Sequence, residues 1–304
     1  MNFEKITIID PCGLTAPVLE QIRALSKQPL VIFDSLPVDN AEILSRIGDS
    51  DGVLVSWRTK VDAEVIKAAP NLKYIGMCCS LYDEKAANVD IAQARSRGIV
   101  VKGVRDYGDD GTLEFIFAEL IYLLKGLGNQ KWQPENRELR GKTMGIIGMG
   151  TLGTMVARTA CHFGMQVCYF NRSRKPELEA EGFEYLPLNE LMARCDVIST
   201  HLPKNSFVLG EAEFRNKKQN SILVNTSIGL TFDKTAFVEW IKNDPSSFAI
   251  FDGPGVGEFT DEFSKFPNVI IKQGSSGFTL EAQSRLSEKV LANITDFFKQ
   301  RAIE

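Results

Sequence analysis

Three glycines, Gly148, Gly150 and Gly153, form the pattern in this chain that is best suited to chemistry. They follow a short apolar run at 144–147, and a helix-compatible segment and a second apolar run at 167–170 come after them. In this order, a glycine turn lets the backbone approach a pyrophosphate, and the free amides of the next helix hold the phosphates. A glycine turn without a ligand is the alternative, but the position between two β-like runs favours a dinucleotide site.

The residues after the second apolar run indicate which dinucleotide is bound. A site for NAD usually carries Asp or Glu here, which accepts a hydrogen bond from the ribose 2′-hydroxyl. This chain instead has Asn171, Arg172, Ser173 and Arg174. No carboxylate repels a 2′-phosphate, and two guanidinium groups and a hydroxyl can bind one, so the segment predicts NADP(H) in preference to NAD(H). A solvated basic loop is the alternative.

Composition limits the class of protein. The chain has 304 residues, 44% of them hydrophobic and 24% charged, which is typical of a globular protein with two domains. The net charge of −4 argues against a nucleic-acid surface, and no apolar run approaches the roughly 20 residues of a membrane span. Six cysteines without a C-x-x-C pair, and only two histidines, predict no metal site. We expect a cytoplasmic protein with a small-molecule substrate.

The elements that must position these residues alternate along the chain. Short apolar runs are separated by helix-compatible stretches, which predicts parallel sheets with helices on both faces. A long apolar helix at 111–125 and an extended arm at 126–141 separate two such series, and a helix at 279–301 ends the chain. The predicted strands are 6–9, 30–33, 53–55, 74–77, 99–101, 144–147, 167–170, 196–200, 222–225, 248–251 and 269–271.

Four longer segments resemble the D-2-hydroxyacid dehydrogenase family, and the resemblance extends over nearly the whole chain. They are 139–150 (LRGKTMGIIGMG), 196–203 (DVISTHLP), 223–227 (LVNTS), and 268–271 with 277–283. The resemblance implies an α/β fold of two doubly wound, Rossmann-like parallel-sheet domains with a cleft between them. It implies a flavodoxin-like substrate domain of residues 1–104 plus 285–304, and an NAD(P)-binding domain of residues 105–284. It also implies a homodimer to which the helix and arm at 111–141 contribute.

The resemblance adds cofactor contacts beyond the glycine turn. It implies that His201 packs beside the cofactor, that Thr226 and Ser227 pass the nicotinamide, and that Asp252 orients its carboxamide. The full predicted cofactor-binding set is Gly148, Gly150, Thr151, Leu152, Gly153, Asn171, Arg172, Ser173, Arg174, His201, Leu202, Pro203, Thr226, Ser227 and Asp252.

The chain departs from the family where the family does its chemistry. The arginine that holds the substrate carboxylate and polarises its carbonyl is replaced by Ile228, and the histidine that donates the proton is replaced by Gly274. The glutamate that pairs with that histidine falls near Gly257 or Glu258. Hydride attack on a carbonyl builds negative charge on its oxygen, which needs an acid or a cation. The family's catalytic roles are therefore not transferred to this chain.

Two residues are candidates to replace the lost groups. Arg58 follows the third predicted strand at its carboxyl end, where it could hold an anionic substrate, or it is an ordinary surface arginine. Tyr107 lies at the predicted domain junction, where its hydroxyl could donate a proton or the ring could serve packing alone. The sequence thus predicts an NADP(H)-dependent oxidoreductase that reduces a carbonyl or imine at a non-standard catalytic site. The alternative is a catalytically silent, dehydrogenase-like nucleotide-binding or sensor protein.

Overall fold

The computed structural model describes residues 2–204 and 206–301, and these form two compact units. Unit 1 comprises the chain up to Tyr107 together with the segment from Thr279 onward, and unit 2 runs from Gly108 to Phe278. Each unit contains one parallel sheet. The α/β fold of two doubly wound domains that the sequence predicts is confirmed.

Unit 1 has a five-stranded sheet in the order β2-β1-β3-β4-β5. The chain leaves β1 towards β2 on one side and returns to β3 on the other, so the strand order reverses between β1 and β3. The strands are β1 Ile6–Ile8, β2 Val31–Ile32, β3 Gly52–Val55, β4 Tyr74–Ser80 and β5 Val100–Val104, and the connecting helices are α1 Ala16–Arg23, α2 Asn40–Ile47, α3 Ala63–Ala68 and α4 Ile91–Ser96. A reversal of this kind is the place where open α/β sheets bind ligands, outside the carboxyl ends of the two strands.

Unit 2 begins with α5 (Asp109–Lys125) and has a seven-stranded sheet in the order β12-β11-β10-β9-β6-β7-β8. Its central strands are buried on both faces, as expected for a parallel sheet covered by helices. The strands are β6 Thr143–Ile147, β7 Gln166–Phe170, β8 Glu184–Tyr185, β9 Val197–Thr200, β10 Ile222–Asn225, β11 Phe248–Phe251 and β12 Val269–Ile271. The helices that follow α5 are α6 Thr151–His162, α7 Pro176–Glu179, α8 Leu188–Arg194, α9 Glu211–Arg215, α10 Lys234–Asn243, α11 Gly253–Val256 and α12 Thr260–Phe263.

The segment at 126–141, which the sequence predicts as an extended arm, contains no helix or strand but packs onto unit 2. The Trp132 amide donates to the Leu123 carbonyl at 3.1 Å, and the Arg137 amide donates to the Leu124 carbonyl at 2.9 Å. The side chains of Trp132 and Leu139 are buried in the core of the unit. The apolar residues of the segment therefore fold back onto the end of α5.

The last helix, α13 (Leu280–Arg301), returns the chain to unit 1. Its apolar stripe, spaced at helical intervals, is buried and ends at Phe297, whose ring lies 5.0 Å from Tyr74 and 5.3 Å from Phe3. The helix packs along β4 and β5. None of the helices at 2–204 and 206–301 combines the length and apolar character that crossing a lipid bilayer requires.

Candidate cofactor and active site

The glycine turn joins β6 to α6 in unit 2, and its three glycines are held under different constraints. Gly148 has φ +99°, and a Cβ there would lie 2.2 Å from the His201 carbonyl oxygen. A Cβ on Gly153 would lie 2.0 Å from the Gly148 carbonyl oxygen. A Cβ on Gly150, by contrast, would meet no atom within 4 Å. Two glycines therefore allow the turn to close, and the third borders open space at the start of the helix.

The N-terminus of α6 faces that space with its amides uncapped. Gly150 precedes the helix and provides no capping side chain, and Thr151 and Leu152 form its first residues. The first amides of a helix lack internal carbonyl partners and carry partial positive charge. The geometry fits a bound pyrophosphate.

The polar residues of the loop after β7 differ in their contacts. Asn171 accepts a hydrogen bond from the Met149 amide at 3.3 Å and donates to the Ser173 carbonyl at 3.0 Å, which ties this loop to the glycine turn. Arg172 and Ser173 are exposed, and Arg172 makes no hydrogen bond or ion pair with any other described residue.

Arg174 is committed elsewhere. Its Nε donates to Glu179 at 3.0 Å as part of an ion pair, and its guanidinium lies 5.3 Å from the centre of the Tyr185 ring. Glu179 also accepts a hydrogen bond from the Tyr169 hydroxyl at 2.8 Å. Of the two arginines that the sequence assigns to a 2′-phosphate, only Arg172 is uncommitted.

The carboxyl ends of β9 and β10 bring together the residues that the resemblance assigns to the cofactor. Ser227 accepts a hydrogen bond from the Leu202 amide at 3.0 Å and donates to the Thr200 carbonyl at 3.1 Å. This hydroxyl therefore fixes one loop against the other, while Pro203 is exposed beyond it. Both hydrogen bonds of the Ser227 hydroxyl are thus made within the protein.

Two side chains at the same edge carry buried polar atoms without a protein partner. Among the described residues, neither Thr226 Oγ1 nor either ring nitrogen of His201 has a hydrogen-bond partner. Burial lowers the pKa of His201 to about 3, so the imidazole is neutral at physiological pH and holds no acidic proton to donate. Buried polar atoms are normally paired. These three unpaired atoms fit a polar ligand that binds beside β9 and β10.

Asp252, at the end of β11, has both carboxylate oxygens engaged by the protein. Oδ1 accepts from the Gly255 amide at 2.8 Å, and Oδ2 accepts from the Ser276 amide at 3.0 Å and the Ser276 hydroxyl at 2.7 Å. The side chain is only 2% exposed, and burial raises its pKa. Asp252 thus joins the start of α11 to the loop at 274–278.

The two positions where the family holds its acid and its cation carry no ionisable group. Ile228 is half-buried. Gly274 has φ +88°, and its carbonyl accepts a hydrogen bond from the Gly253 amide at 2.8 Å. Across 2–204 and 206–301, no group of three or more His, Cys, Asp or Glu side chains is arranged to hold a metal ion.

The two candidate replacements both belong to unit 1. Arg58 is exposed after β3, and its Nη2 donates to the Pro11 carbonyl at 2.9 Å. Tyr107 is half-buried against the core of the unit, and its carbonyl accepts from Arg285 Nε at 2.9 Å.

The fold and the glycine turn define a dinucleotide-binding protein of the dehydrogenase type, and comparison with known proteins gives the family. Residues 118–273 match the model of the D-isomer specific 2-hydroxyacid dehydrogenase NAD-binding domain. The chain is 31% identical to glyoxylate reductase of Korarchaeum cryptofilum, with 87% of this chain and 84% of the relative covered. It is 32% identical to glyoxylate reductase of Thermococcus litoralis, with 84% and 83% covered. The chain belongs to the D-isomer specific 2-hydroxyacid dehydrogenase family, as the sequence resemblance indicates.

Solved structures extend the comparison. An acyclic imino acid reductase in complex with NADPH and D-Arg superposes with a TM-score of 0.83 at 25% identity, with 97% of each chain covered. Apo D-lactate dehydrogenase of Escherichia coli superposes with a TM-score of 0.77 at 24% identity, also over 97% of each chain, and shares the fold. Unit 2 therefore contains the NAD(P)-binding domain of a D-2-hydroxyacid dehydrogenase-like oxidoreductase.

Proposed function

We propose that this protein is an NADP(H)-dependent reductase that acts on a C=O or C=N bond with a catalytic arrangement unlike that of its family. Unit 2 would hold the coenzyme and unit 1 the substrate. The pyrophosphate would bind at Gly150 and the first turn of α6, and His201 and Thr226 would lie against the nicotinamide end. Bound NADPH supplies a hydride to the substrate carbon.

The observation that supports NADP(H) is the uncommitted guanidinium of Arg172. It lies in the loop after β7, where Asn171 stands in place of the carboxylate that would bind a ribose 2′-hydroxyl. An exposed, unpaired guanidinium suits a doubly charged phosphate. The imino acid reductase of similar structure contains NADPH, which agrees with this preference.

Fluorescence titration of wild-type protein with NADPH and NADH tests the preference. We expect NADPH to bind at least about tenfold more tightly, because hydrogen bonds to charged groups contribute about 1.5–3 kcal/mol. Arg172→Ala should remove most of that difference, whereas Arg174→Ala, the matched control, should change it far less because Arg174 is paired with Glu179. Equal affinity of the wild type for both coenzymes would refute the proposal.

The residues at 228 and 274 favour a C=N substrate. Hydride addition to a carbonyl leaves an alkoxide, which needs a proton or a cation, and these two positions offer neither. A protonated imine already carries its proton, so hydride addition to its carbon gives a neutral amine without proton transfer in that step. The imino acid reductase among the similar structures supports this choice, while the glyoxylate reductases support a 2-oxo acid.

Steady-state oxidation of NADPH with matched substrates distinguishes a C=N substrate from a C=O substrate. Pyruvate alone, and pyruvate with methylamine at a pH where the imine forms, differ only in the bond to be reduced. We expect the amine to increase the rate with the protein at least about tenfold, since a missing general acid typically costs 10²–10⁴ in rate. Equal rates with and without amine would refute the preference for C=N.

A second candidate function rests on the same two substitutions. A protein that has lost both the acid and the cation could keep the nucleotide without using it, as a sensor. That function requires tight NADPH binding together with no NADPH oxidation across carbonyl and imine substrates. Turnover of any substrate in the panel would exclude it.

We also propose that the protein is a homodimer built on unit 2. Tyr122 and Leu127, at and beyond the end of α5, are 50% and 62% exposed, and Phe163, which stacks on Phe117, is 41% exposed. Exposed apolar side chains of this size favour a protein partner. Light scattering should give a dimer mass for the wild type and a monomer mass for Leu127→Lys combined with Tyr122→Glu. A monomeric wild type would disprove the dimer.

A further inference from the structure

A four-residue turn in unit 1, Ser56 to Thr59, is held at both ends by buried polar side chains. Asp10, itself fully buried, accepts from the Ser56 amide at 2.8 Å, the Ser56 hydroxyl at 2.5 Å and the Thr59 hydroxyl at 2.6 Å. A buried carboxylate is costly unless it is fully hydrogen-bonded. Here its bonds fasten the first and the last residue of the turn.

The carbonyls of the same two residues are held by a second side chain. Asn88 Nδ2 donates to the Ser56 carbonyl at 2.8 Å and to the Thr59 carbonyl at 2.5 Å. Asp10 and Asn88 thus provide the hydrogen-bond partners of the polar groups at both ends of the turn. The turn is rigid, and its two middle residues project outward.

Those middle residues are Trp57 and Arg58. Trp57 is 38% exposed, a large fraction for a tryptophan held in so fixed a turn. The Arg58 guanidinium is anchored through Nη2 to the Pro11 carbonyl, and this is its only side-chain hydrogen bond within 2–204 and 206–301. Its other N–H groups are available to a ligand. A positioned, incompletely used guanidinium suits a planar anion such as carboxylate.

The turn also lies at the point where a ligand is expected. It follows β3, and Pro11 follows β1, so Arg58 bridges the carboxyl ends of the two strands between which the order of the unit 1 sheet reverses. In open α/β sheets ligands bind in the crevice outside this reversal. Rigid support, an available guanidinium and this position are three independent features of one turn.

We propose that the turn at 56–59 is the substrate-recognition site, with Arg58 binding the carboxylate of a 2-oxo or 2-imino acid and Trp57 contacting the rest of the molecule. The inference rests on the proposed reductase function, and it specifies the substrate as an anion. It assigns carboxylate binding to unit 1, since Ile228 offers no charge for that purpose.

Calorimetric titration of oxamate into the full chain saturated with NADPH tests the assignment without requiring turnover. Oxamate is an unreactive carboxylate of 2-oxo acid shape. We expect Arg58→Gln to raise its Kd about 10- to 100-fold, because a hydrogen-bonded charge pair is lost. The Kd of Arg58→Lys for oxamate should fall between those of the wild type and Arg58→Gln, since a lysine keeps the charge but not the fork of donors.

Two controls separate the charge of Arg58 from a disturbed fold. Arg23→Gln removes an exposed arginine of unit 1 that pairs with Glu20 on α1, and it should leave oxamate binding unchanged. Lys60→Gln removes an exposed cation directly after the turn, and it should change oxamate affinity by less than threefold because Lys60 lies outside the turn at 56–59. Unchanged oxamate affinity in Arg58→Gln, or no oxamate binding by the wild type, would overturn the proposal.

A kinetic comparison gives a second readout. For Arg58→Gln, KM for pyruvate should rise by the same factor as the oxamate Kd, while kcat/KM for the uncharged methylglyoxal stays within threefold. An equal loss for both substrates would contradict carboxylate recognition. Failure of the reductase function itself would be seen separately, as wild-type protein that binds oxamate but oxidises no NADPH.

Discussion

At the residue scale, Arg172 and Arg174 of the loop after β7 differ in the charge that they leave for a ligand, because Arg174 is paired with Glu179 and Arg172 has no partner among the described residues. Both are equally plausible phosphate ligands in the sequence, because each follows a predicted strand in a loop without carboxylates. Glu179 decides between them, and it lies five residues beyond Arg174 on the short helix α7. A four-residue helix has no periodicity to reveal it, so this ion pair could not be predicted from the sequence.

The contacts of Asp252 could not be predicted from the sequence either. The resemblance assigns it to the nicotinamide carboxamide, but its partners Gly255 and Ser276 become visible only when α11 and the loop at 274–278 have been positioned. The departures at Ile228 and Gly274, by contrast, are evident from the sequence, because they are changes of residue type at aligned positions.

Lys217 carries a prediction about stability and pH. It is buried, its Nζ donates to Ser221 Oγ at 2.5 Å and lies 4.6 Å from the centre of the Trp240 ring, and burial lowers its pKa to about 7. In the unfolded chain the pKa is about 10.4. Between these two values the lysine binds more protons in the unfolded state, so the titration of Lys217 by itself raises the stability of the fold as pH increases from about 7 to about 10.

Lys217→Met should remove that dependence. Chemical denaturation at pH 6.5 and pH 9.5 should show wild-type stability gaining on the variant by about 1 kcal/mol or more, because one pKa unit corresponds to about 1.4 kcal/mol. Titrating groups that do not interact with Lys217 are present in both proteins and cancel in the difference. Parallel pH profiles for the two proteins would show that the lysine stays charged in the fold.

At the scale of elements, we expect the two glycine-to-alanine substitutions in the turn between β6 and α6 to differ in their effect on stability. A methyl group on Gly153 would lie 2.0 Å from a backbone oxygen, so Gly153→Ala should lower the free energy of unfolding by about 3 kcal/mol or more. Gly150→Ala meets no protein atom, and its φ of −82° is ordinary for alanine. Thermal unfolding should separate them, with Gly150→Ala at the wild-type Tm.

NADPH affinity should depend on the other glycine: among folded molecules, Gly150→Ala should bind the coenzyme more weakly although its stability is unchanged. Gly150→Ala fills the space assigned to the pyrophosphate, so its Kd for NADPH should rise at least about tenfold, in line with the close backbone approach that this position requires. Calorimetry at a temperature where the variant is fully folded measures it. Wild-type affinity in Gly150→Ala would mean that the phosphates bind elsewhere.

The strands show which elements can be predicted from sequence and why. The predicted bounds of β10, β11 and β12 match the observed ones, because a strand buried on both faces is a continuous apolar run with clear ends. The edge strands β2 and β8 contain two residues each, and β8 (Glu184–Tyr185) was not predicted. A two-residue strand is too short to form such a run, and four-residue helices such as α11 and α12 span little more than one turn, which is too short to show an amphipathic pattern.

At the scale of the whole molecule, α13 determines whether unit 1 is stable. Phe297 packs against Tyr74 and Phe3, so Phe297→Ala should cost unit 1 about 3–5 kcal/mol. The residues assigned to the coenzyme all lie in unit 2. Hydrogen exchange should therefore show faster exchange in β4 and β5, with an NADPH affinity within about twofold of the wild type. Loss of NADPH affinity in this variant would show that the units are energetically coupled.

The return of the chain to unit 1 only at Thr279 has a consequence for synthesis on the ribosome. Unit 2 is translated completely before α13 exists, so a nascent chain can fold its nucleotide-binding half first. Until α13 emerges, the sheet of unit 1 lacks the helix that covers β4 and β5, and the apolar surface around Tyr74 stays available to chaperones. A stop codon shortly before position 279 would then yield a product that retains a folded unit 2 but is recognised by quality control through its unfinished unit 1.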